Sequence, residues 1–418
     1  MSLSRRSLLI GAGLAAGLSA CGGGSGETGA QEEKLTFWYW DGALSTPVVK
    51  SVIADLADRG TISSTIVDGD FGQRLATSLG SKSAAPDITG IKGEDMPSFL
   101  ARADSFLDLN TLGAKDVAAS FAPAKYAAAT AADGRQVGLP IDLGPTALFL
   151  RKDLWEKAGL STRIPTVSAR MADWDGWFEA AARLRKKLPG SFAIRNSGDV
   201  FGVALAQQPE TFVTREGDFA GDGDAVKQAW DIAVRSITDA VQAGIYDQNA
   251  FGAALSAGVL TGHLGPAWNG LDLAAAAPST SGHWRVADCP GGPANVGGSY
   301  LTLPATGHDP KLSFAFIAEL LSPANEAKAF TDASVFPAVT AAYDLPALTG
   351  GQKFFGGQAT IDIFGPAAKN LPVVYDAPQN AAVMAVYLTE LSNVEGGKKP
   401  SQAWKDAVTA GRKTAGIK

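Results

Sequence analysis

Cysteine is almost absent from this chain: Cys21 and Cys289 are the only two in 418 residues. A disulfide framework is therefore excluded, and the fold must be stabilised by its core. Histidine is nearly as scarce, and His263, His283 and His308 stand 20 and 25 residues apart, without the i, i+3 or i, i+4 pairing of a metal site. A structural or surface role is expected for each. No apolar run reaches the roughly 20 residues of a membrane-spanning helix; Leu8 to Ala20 offers thirteen. Basic runs are missing too. Acids outnumber Lys and Arg by 42 to 36, a formal charge of −6, which argues against nucleic acid or anionic lipid as a partner. There is no G-x-S-x-G elbow, no phosphate-binding G-x-x-x-x-G-K-[ST] loop and no G-x-G-x-x-G between a strand and a helix. The acidic run from Asp218 to Trp230 places Ala220 and Ala229 where a calcium loop needs oxygen ligands, so it reads as a turn ending in an Asp224 N-cap. No cofactor and no metal are expected, although paired carboxylates for glycoside hydrolysis leave no sequence signature of their own.

What is present is a long, 46% hydrophobic chain that should divide into two domains. "LTFWYW" from Leu35 reads as a strand buried on both faces, and "TPVVKSVIADLAD" as a helix with Thr46 as N-cap and Pro47 at its first position. "STIVDGD", "GQRLATSLGSK" and "PDITGI" continue the alternation of strand, helix and strand, which argues for an open α/β sheet. "GLPIDLGPTALFL" is strand-like but interrupted by Pro140, Gly144 and Pro145, and leads into a helix at "KDLWEKAGL". The middle of the chain is richer in amphipathic helix, including one capped by Asp173 and one across Val226 to Ile237. "VGGSYLTLP" forms a second strand region, followed by the helix "PKLSFAFIAELLS". Two such regions bordered by Gly and Pro predict crossings between lobes, a hinge and a cleft. Trp38, Trp155, Trp177, Trp230 and Trp404 lie in apolar periodic stretches and are assigned to packing.

Arg5 and Arg6 followed by the apolar run read as an export signal. Leu18-Ser19-Ala20-Cys21 resembles a bacterial lipobox, in which the thiol is joined to diacylglycerol, and Ser4 to Leu9 resembles a twin-arginine signal. Cleavage before Cys21 removes both arginines, taking the charge from −6 to −6 − 2 = −8. The Gly/Ser/Glu stretch beyond Cys21 is a flexible tether. Cys289, in "VADCPGG", has no basic neighbour and is expected as a small buried residue.

Aromatic residues beside acids mark the strand ends: Trp40-Asp41, Glu94-Asp95, Asp142 in the suspected hinge, and Trp268-Asn269. In open α/β sheets ligands lie beyond the carboxyl ends of strands. Sugars suit this combination, stacking a C–H face on an aromatic ring and bonding their hydroxyls to carboxylates and amides. "FWYWDG", "AAPDITGI", "GLPIDLGPTALFLRKDLWEKAGL", "GHWRVADCPGGPANVGGSYLTLPA" and "SPANEAKAFTDASVFPAV" together resemble the family 1 extracellular solute-binding proteins of ABC sugar importers, across nearly the whole mature chain. "PTVSARMADWDGW" departs from the family pattern, which puts the start of that helix in question.

The resemblance implies an α/β, two-lobed periplasmic-binding-protein-like fold with a hinge and a central ligand cleft. The expected boundaries are a signal peptide over 1–20 and a lipid-anchored linker over 21–34. The N-terminal lobe then takes 35–140 plus 304–345 and the helix-rich C-terminal lobe 146–300 plus 350–418, with crossings at 138–147 and 299–304. It further implies a monomeric binding protein, not an enzyme, anchored to the outer face of the cell membrane by Cys21. This receptor would capture a neutral oligosaccharide and deliver it to a permease. Trp40, Asp41, Glu94, Asp95, Asp142, Trp268, Asn269, Gly297 and Gly298 would line the cleft, Trp268 by stacking and Gly298 by a backbone N–H. The competing expectations are an exported carbohydrate-active enzyme, and the same fold binding a phosphodiester, an amino sugar or a peptide. The absence of arginine among the nine positions favours a neutral sugar.

Overall fold

Alternation in "LTFWY" makes strand β1 (Leu35–Tyr39), with Leu35, Phe37 and Tyr39 on a fully buried face. Phe37 stacks on Tyr39 at 5.0 Å and meets the edge of Phe316 at 5.3 Å. The opposite face holds exposed Thr36 and half-buried Trp38, so burial on both faces, expected from the continuous apolar run, is corrected to one face and part of the other. The computed structural model describes residues 34–81 and 85–417; Arg5, Arg6, Cys21 and the segment around them lie outside the described residues.

Strands β2 (Ile62–Ile66) and β3 (Ile88–Lys92) flank β1 in parallel, the arrangement expected of consecutive β-α-β units. β4 (Gly138–Pro140) and β8 (Ser299–Thr302) complete a five-stranded sheet in the order β2-β1-β3-β8-β4, with β8 antiparallel to both its neighbours. The first connecting helix, Thr46–Asp55, buries Val48, Val49 and Val52. Each such side chain contributes about 1.5–3 kcal/mol. Its cap is Ser45, not Thr46: Ser45 is extended and its hydroxyl accepts from the Val48 N–H at 3.4 Å, which makes Thr46 the first helical residue. Asp224 is displaced in the same sense. It opens the helix Asp224–Thr238, and the extended Gly223 is the cap. Asp173 caps Trp174–Lys187 as expected, accepting from the Gly176 N–H at 2.8 Å.

The second sheet is antiparallel, β6-β5-β7, built from β5 (Thr146–Arg151), β6 (Gly262–Pro266) and β7 (Trp284–Asp288). Helices Trp174–Lys187, Ser197–Ala206, Asp224–Thr238, Asn380–Glu395 and Pro400–Ala415 pack beside it around Trp177, Trp230 and Tyr387, each at most 1% exposed. Trp155 is buried as assigned, whereas Trp38 and Trp404 pack half-buried at the margins. Among the described residues no helix is long and apolar enough to cross a membrane.

Three chain segments run side by side between the sheets. Asp142–Thr146 and Ala294–Ser299 are tied by Ile141 N–H to Ser299 O (2.8 Å), Val296 N–H to Gly144 O (2.9 Å) and Thr146 N–H to Ala294 O (2.9 Å). The third, around Phe336–Val339, joins where the Leu143 N–H donates to Phe336 O at 3.0 Å. The crossing expected at 299–304 is corrected by this topology. Ser299–Thr302 is already paired with β3 and β4, so the chain changes sheet between Asp288 and Ser299. Behind the crossings the apolar core is continuous, from Phe336 through Phe364 to Phe149, with ring centroids 5.8 and 6.0 Å apart.

Candidate functional site

The crossings gather residues far apart in sequence. Gly144 and Gly297 lie against the indole of Trp268, which is half-buried: a Cβ on Gly144 would come within 2.6 Å of its Cζ3, and one on Gly297 within 2.8 Å of its Cη2. Gly298 has φ +86° and is wedged between Asp142 and Lys125; a Cβ there would stand 2.5 Å from the Lys125 ammonium nitrogen and 2.6 Å from the Asp142 carbonyl. Only glycine fits both the backbone angle and the space. The Gly93 backbone abuts the Gly298 carbonyl, which brings the neighbouring Glu94, exposed to solvent, to the same place. Asn295 fastens the arrangement, its Oδ1 accepting from the Gly144 N–H and its Nδ2 donating to Gly297 O, both at 2.9 Å.

Lys125, on the short helix Pro123–Ala127, was not foreseen from the sequence. It is 6% exposed, its ammonium donates to Gly297 O at 2.9 Å and lies 4.4 Å from the Tyr300 ring centroid. Burial pushes its pKa down to about 8, against the opposing pull of Asp142, Glu94 and Asp376. Asp142 is its counterpart. Burial raises this carboxyl above its ordinary value, Lys125 acts in the other direction, and Oδ1 is buried with no hydrogen-bond partner. An unpartnered buried carboxylate oxygen is costly and suits a ligand hydroxyl that donates to it.

Asp376 reaches this group from the second lobe. Its carboxyl is raised by burial, with the Asn380 hydrogen bond and Lys125 opposing. The Asn380 Nδ2 donates to Asp376 Oδ1 at 2.8 Å and to the Thr211 hydroxyl at 2.7 Å, and its Oδ1 is buried without a partner. A lone lysine in the apolar run "FAPAKYAAATAA", Phe121 to Ala132, was the one sequence signal that could have drawn attention to Lys125; Asp376 and Asn380 offered none.

Of the other predicted positions, Asp95 directly follows Glu94 and Asn269 directly follows Trp268. Trp40 lies over Gly90 on β3, edge-on to Phe71 at 4.9 Å and with the Lys92 ammonium 5.6 Å from its ring centroid. Asp41 follows it, exposed. Asp95 packs its carboxylate against Gly72 in the first turn of helix Phe71–Gly80; burial and Glu94 raise its pKa. Asn269 is engaged within the second lobe, its Oδ1 2.9 Å from the ring of buried His263 and its Nδ2 donating to Asp272 at 2.8 Å. Cys289 is buried, with its thiol pushed up to about 12 by desolvation. Among the described residues no group of three or more His, Cys, Asp or Glu side chains could hold a metal ion.

Comparison with known proteins agrees with this architecture. The profile of the family described as "Bacterial extracellular solute-binding protein" matches residues 65–355. A lactose-binding protein of Rhizobium radiobacter is 24% identical over 370 residues, 83% of this chain and 85% of the relative. A solved structure described as an extracellular solute-binding protein family 1 has 27% identity and a TM-score of 0.84, over 91% of this chain and 99% of that one. The fold is also that of the sugar-binding protein MalE from Xanthomonas citri, at 16% identity, a TM-score of 0.76, and coverage of 92% and 97%. These neighbours are binding proteins built as two lobes. The chain belongs to the family of bacterial extracellular solute-binding proteins.

Proposed function

We propose that this protein is the receptor of an ABC importer and captures a neutral oligosaccharide between its lobes. The observation that carries the reading is the meeting of Trp268, Asp142 and the Gly297-Gly298 backbone at the crossings, with Glu94 and Asp376 facing Lys125 from opposite lobes. An indole to stack on, a carboxylate oxygen awaiting a donor and a side-chain-free backbone are what a sugar ring requires. The lysine does not make this an anion site: its ammonium is committed to Gly297 O and Tyr300, and three carboxylates face it. The binding of lactose and of arabinooligosaccharides by two curated relatives points the same way. Contacts made from both lobes exist only in the closed state, so ligand binding shifts the open-closed equilibrium and the closed form is what a permease engages. Cys21 serves as the lipidated anchor that holds the receptor at the outer face of the membrane.

A thermal-shift screen against mono-, di- and trisaccharides tests the reading. A ligand at a hundred times its Kd should stabilise the protein by about 2.7 kcal/mol. The shift should vanish in Trp268→Ala while the unliganded melting temperature stays within a few degrees. No shift across a broad panel, or a shift unchanged in that variant, refutes a sugar cleft at Trp268.

A further inference from the structure

The second lobe carries a separate open groove of about 740 Å³, to which the first lobe contributes no residue. Its size falls within the roughly 300–1,000 Å³ of small-molecule sites. The walls are the first turn of helix Trp174–Lys187, the end of helix Ser197–Ala206, one face of helix Asp224–Thr238 and the backbone of Gly291.

Trp174 is half-buried at this wall and cannot swing. Its indole N–H donates to Gln207 Oε1 at 3.0 Å, Trp177 meets it at 5.7 Å and 86°, and Gly291 presses so close that a Cβ there would lie 2.7 Å from Nε1. Gln207 is fixed in turn, donating to Pro290 O at 2.7 Å and Gly292 O at 2.8 Å. A tryptophan is thus held in place at the wall of a groove, with the amides of Gln208 and Gln228 beside it.

The charges decide the ligand class. Lys227 gives its ammonium to both oxygens of Asp231, at 2.7 and 2.6 Å. Arg235 is bonded to Asp175 and, at 3.1 Å, to Asp239, and its guanidinium lies 4.1 Å from the Phe178 ring centroid. Both cations of the groove are therefore satisfied, and its aspartates outnumber them, so a phosphate or carboxylate ligand finds no counter-charge. A wholly apolar ligand would strip the carboxylates and amides of water without return. Gln208 spends its Nε2 on Ala204 O at 3.3 Å. The groove therefore offers an aromatic side chain beside the Gln208 carbonyl oxygen, the Gln228 amide and the remaining lone pairs of the carboxylates, which suits a neutral polyhydroxylated ring.

We propose that this groove is a second carbohydrate site, taking a neutral mono- or disaccharide independently of the cleft between the lobes. Titration calorimetry on the full chain, with lactose and maltose at millimolar concentration as probes, tests it. The Trp268→Ala background silences the cleft. One weak site should remain there, its affinity falling at least tenfold on adding Trp174→Leu. Gln208→Ala leaves the packing of Trp174 on Trp177 intact and should weaken the same site severalfold. Absence of binding of either sugar in the Trp268→Ala background, or residual binding that neither groove substitution moves, overturns the proposal. Failure of the cleft reading alone looks different: Trp268→Ala would leave every site intact while Trp174→Leu still removed one.

Discussion

Lys125→Met gives a quantitative test of the charge buried at the crossings. Methionine keeps the length and much of the volume of the lysine stem, so packing changes little. At neutral pH the native state must hold an ammonium whose pKa is about 8 when folded, against 10.5 in its unperturbed state. The difference of about 2.5 pH units corresponds to roughly 3 kcal/mol of destabilisation, a net figure that already contains what the bond to Gly297 O does for the ammonium. The variant should therefore be more stable than wild type at pH 7, by up to about 3 kcal/mol.

The pH dependence of the difference tests the same charge. A lysine whose folded pKa is depressed binds fewer protons in the native state than in the unfolded one, so stability rises with pH between the two values. From about pH 7 to about pH 9.5 the wild type should gain about 2 kcal/mol relative to Lys125→Met. Urea unfolding of both proteins at several pH values gives that difference directly, with the titration of tyrosines and other groups common to both. A difference that stays flat, or that moves the other way, would refute the assignment of Lys125 as a charge buried at a cost.

Two further outcomes follow from packing and burial. Gly144→Ala sets a methyl group onto the Val296 carbonyl and the Trp268 ring, so it should cost about 1–3 kcal/mol in thermal unfolding and weaken ligand binding together. Glu326 is 3% exposed, with Oε2 accepting from the Val339 N–H at 2.8 Å and Oε1 buried without a partner; burial raises its carboxyl well above the ordinary range. A raised folded pKa contributes stability at low pH that is lost as the pH climbs through it. Glu326→Gln, which keeps an acceptor for Val339, should therefore be the more stable protein at pH 7, with the gap closing as the pH falls toward about 4.5. Parallel denaturant curves at the two pH values check it; an advantage that persists in acid would be inconsistent with a buried charge.

The local grammar of the chain was readable wherever one segment decided its own structure. Apolar runs and turn punctuation marked β1, β3 and β5, the Asp173 cap marked its helix, and Pro140, Gly144 and Pro145 marked a crossing. Where two candidates for a cap stood side by side, the reading slipped by one residue, because Ser45 and Thr46 differ in backbone angle and not in chemistry. Among the site residues, Trp268 and Asp142 stood out as polar or aromatic groups at strand ends, and they do meet at the crossings together with Gly297 and Gly298. Trp40, Asp41 and Asp95 carried the same signature and lie around β3 and helix Phe71–Gly80, while Asn269 is held by His263 and Asp272.

Sequence alone determined the class of fold, because hydrophobic periodicity is a property of neighbours along the chain. It also excluded a disulfide framework, since two cysteines cannot build one. Only the tertiary structure decided which charges meet at the crossings. Lys125 and Asp376 are 251 positions apart and neither lies in a motif, yet the crossing segments bring them within electrostatic reach. The depressed lysine, the unpartnered oxygen of Asp142 and the third segment at Phe336–Val339 all arise from long-range packing, which removes water from groups that look ordinary in the sequence.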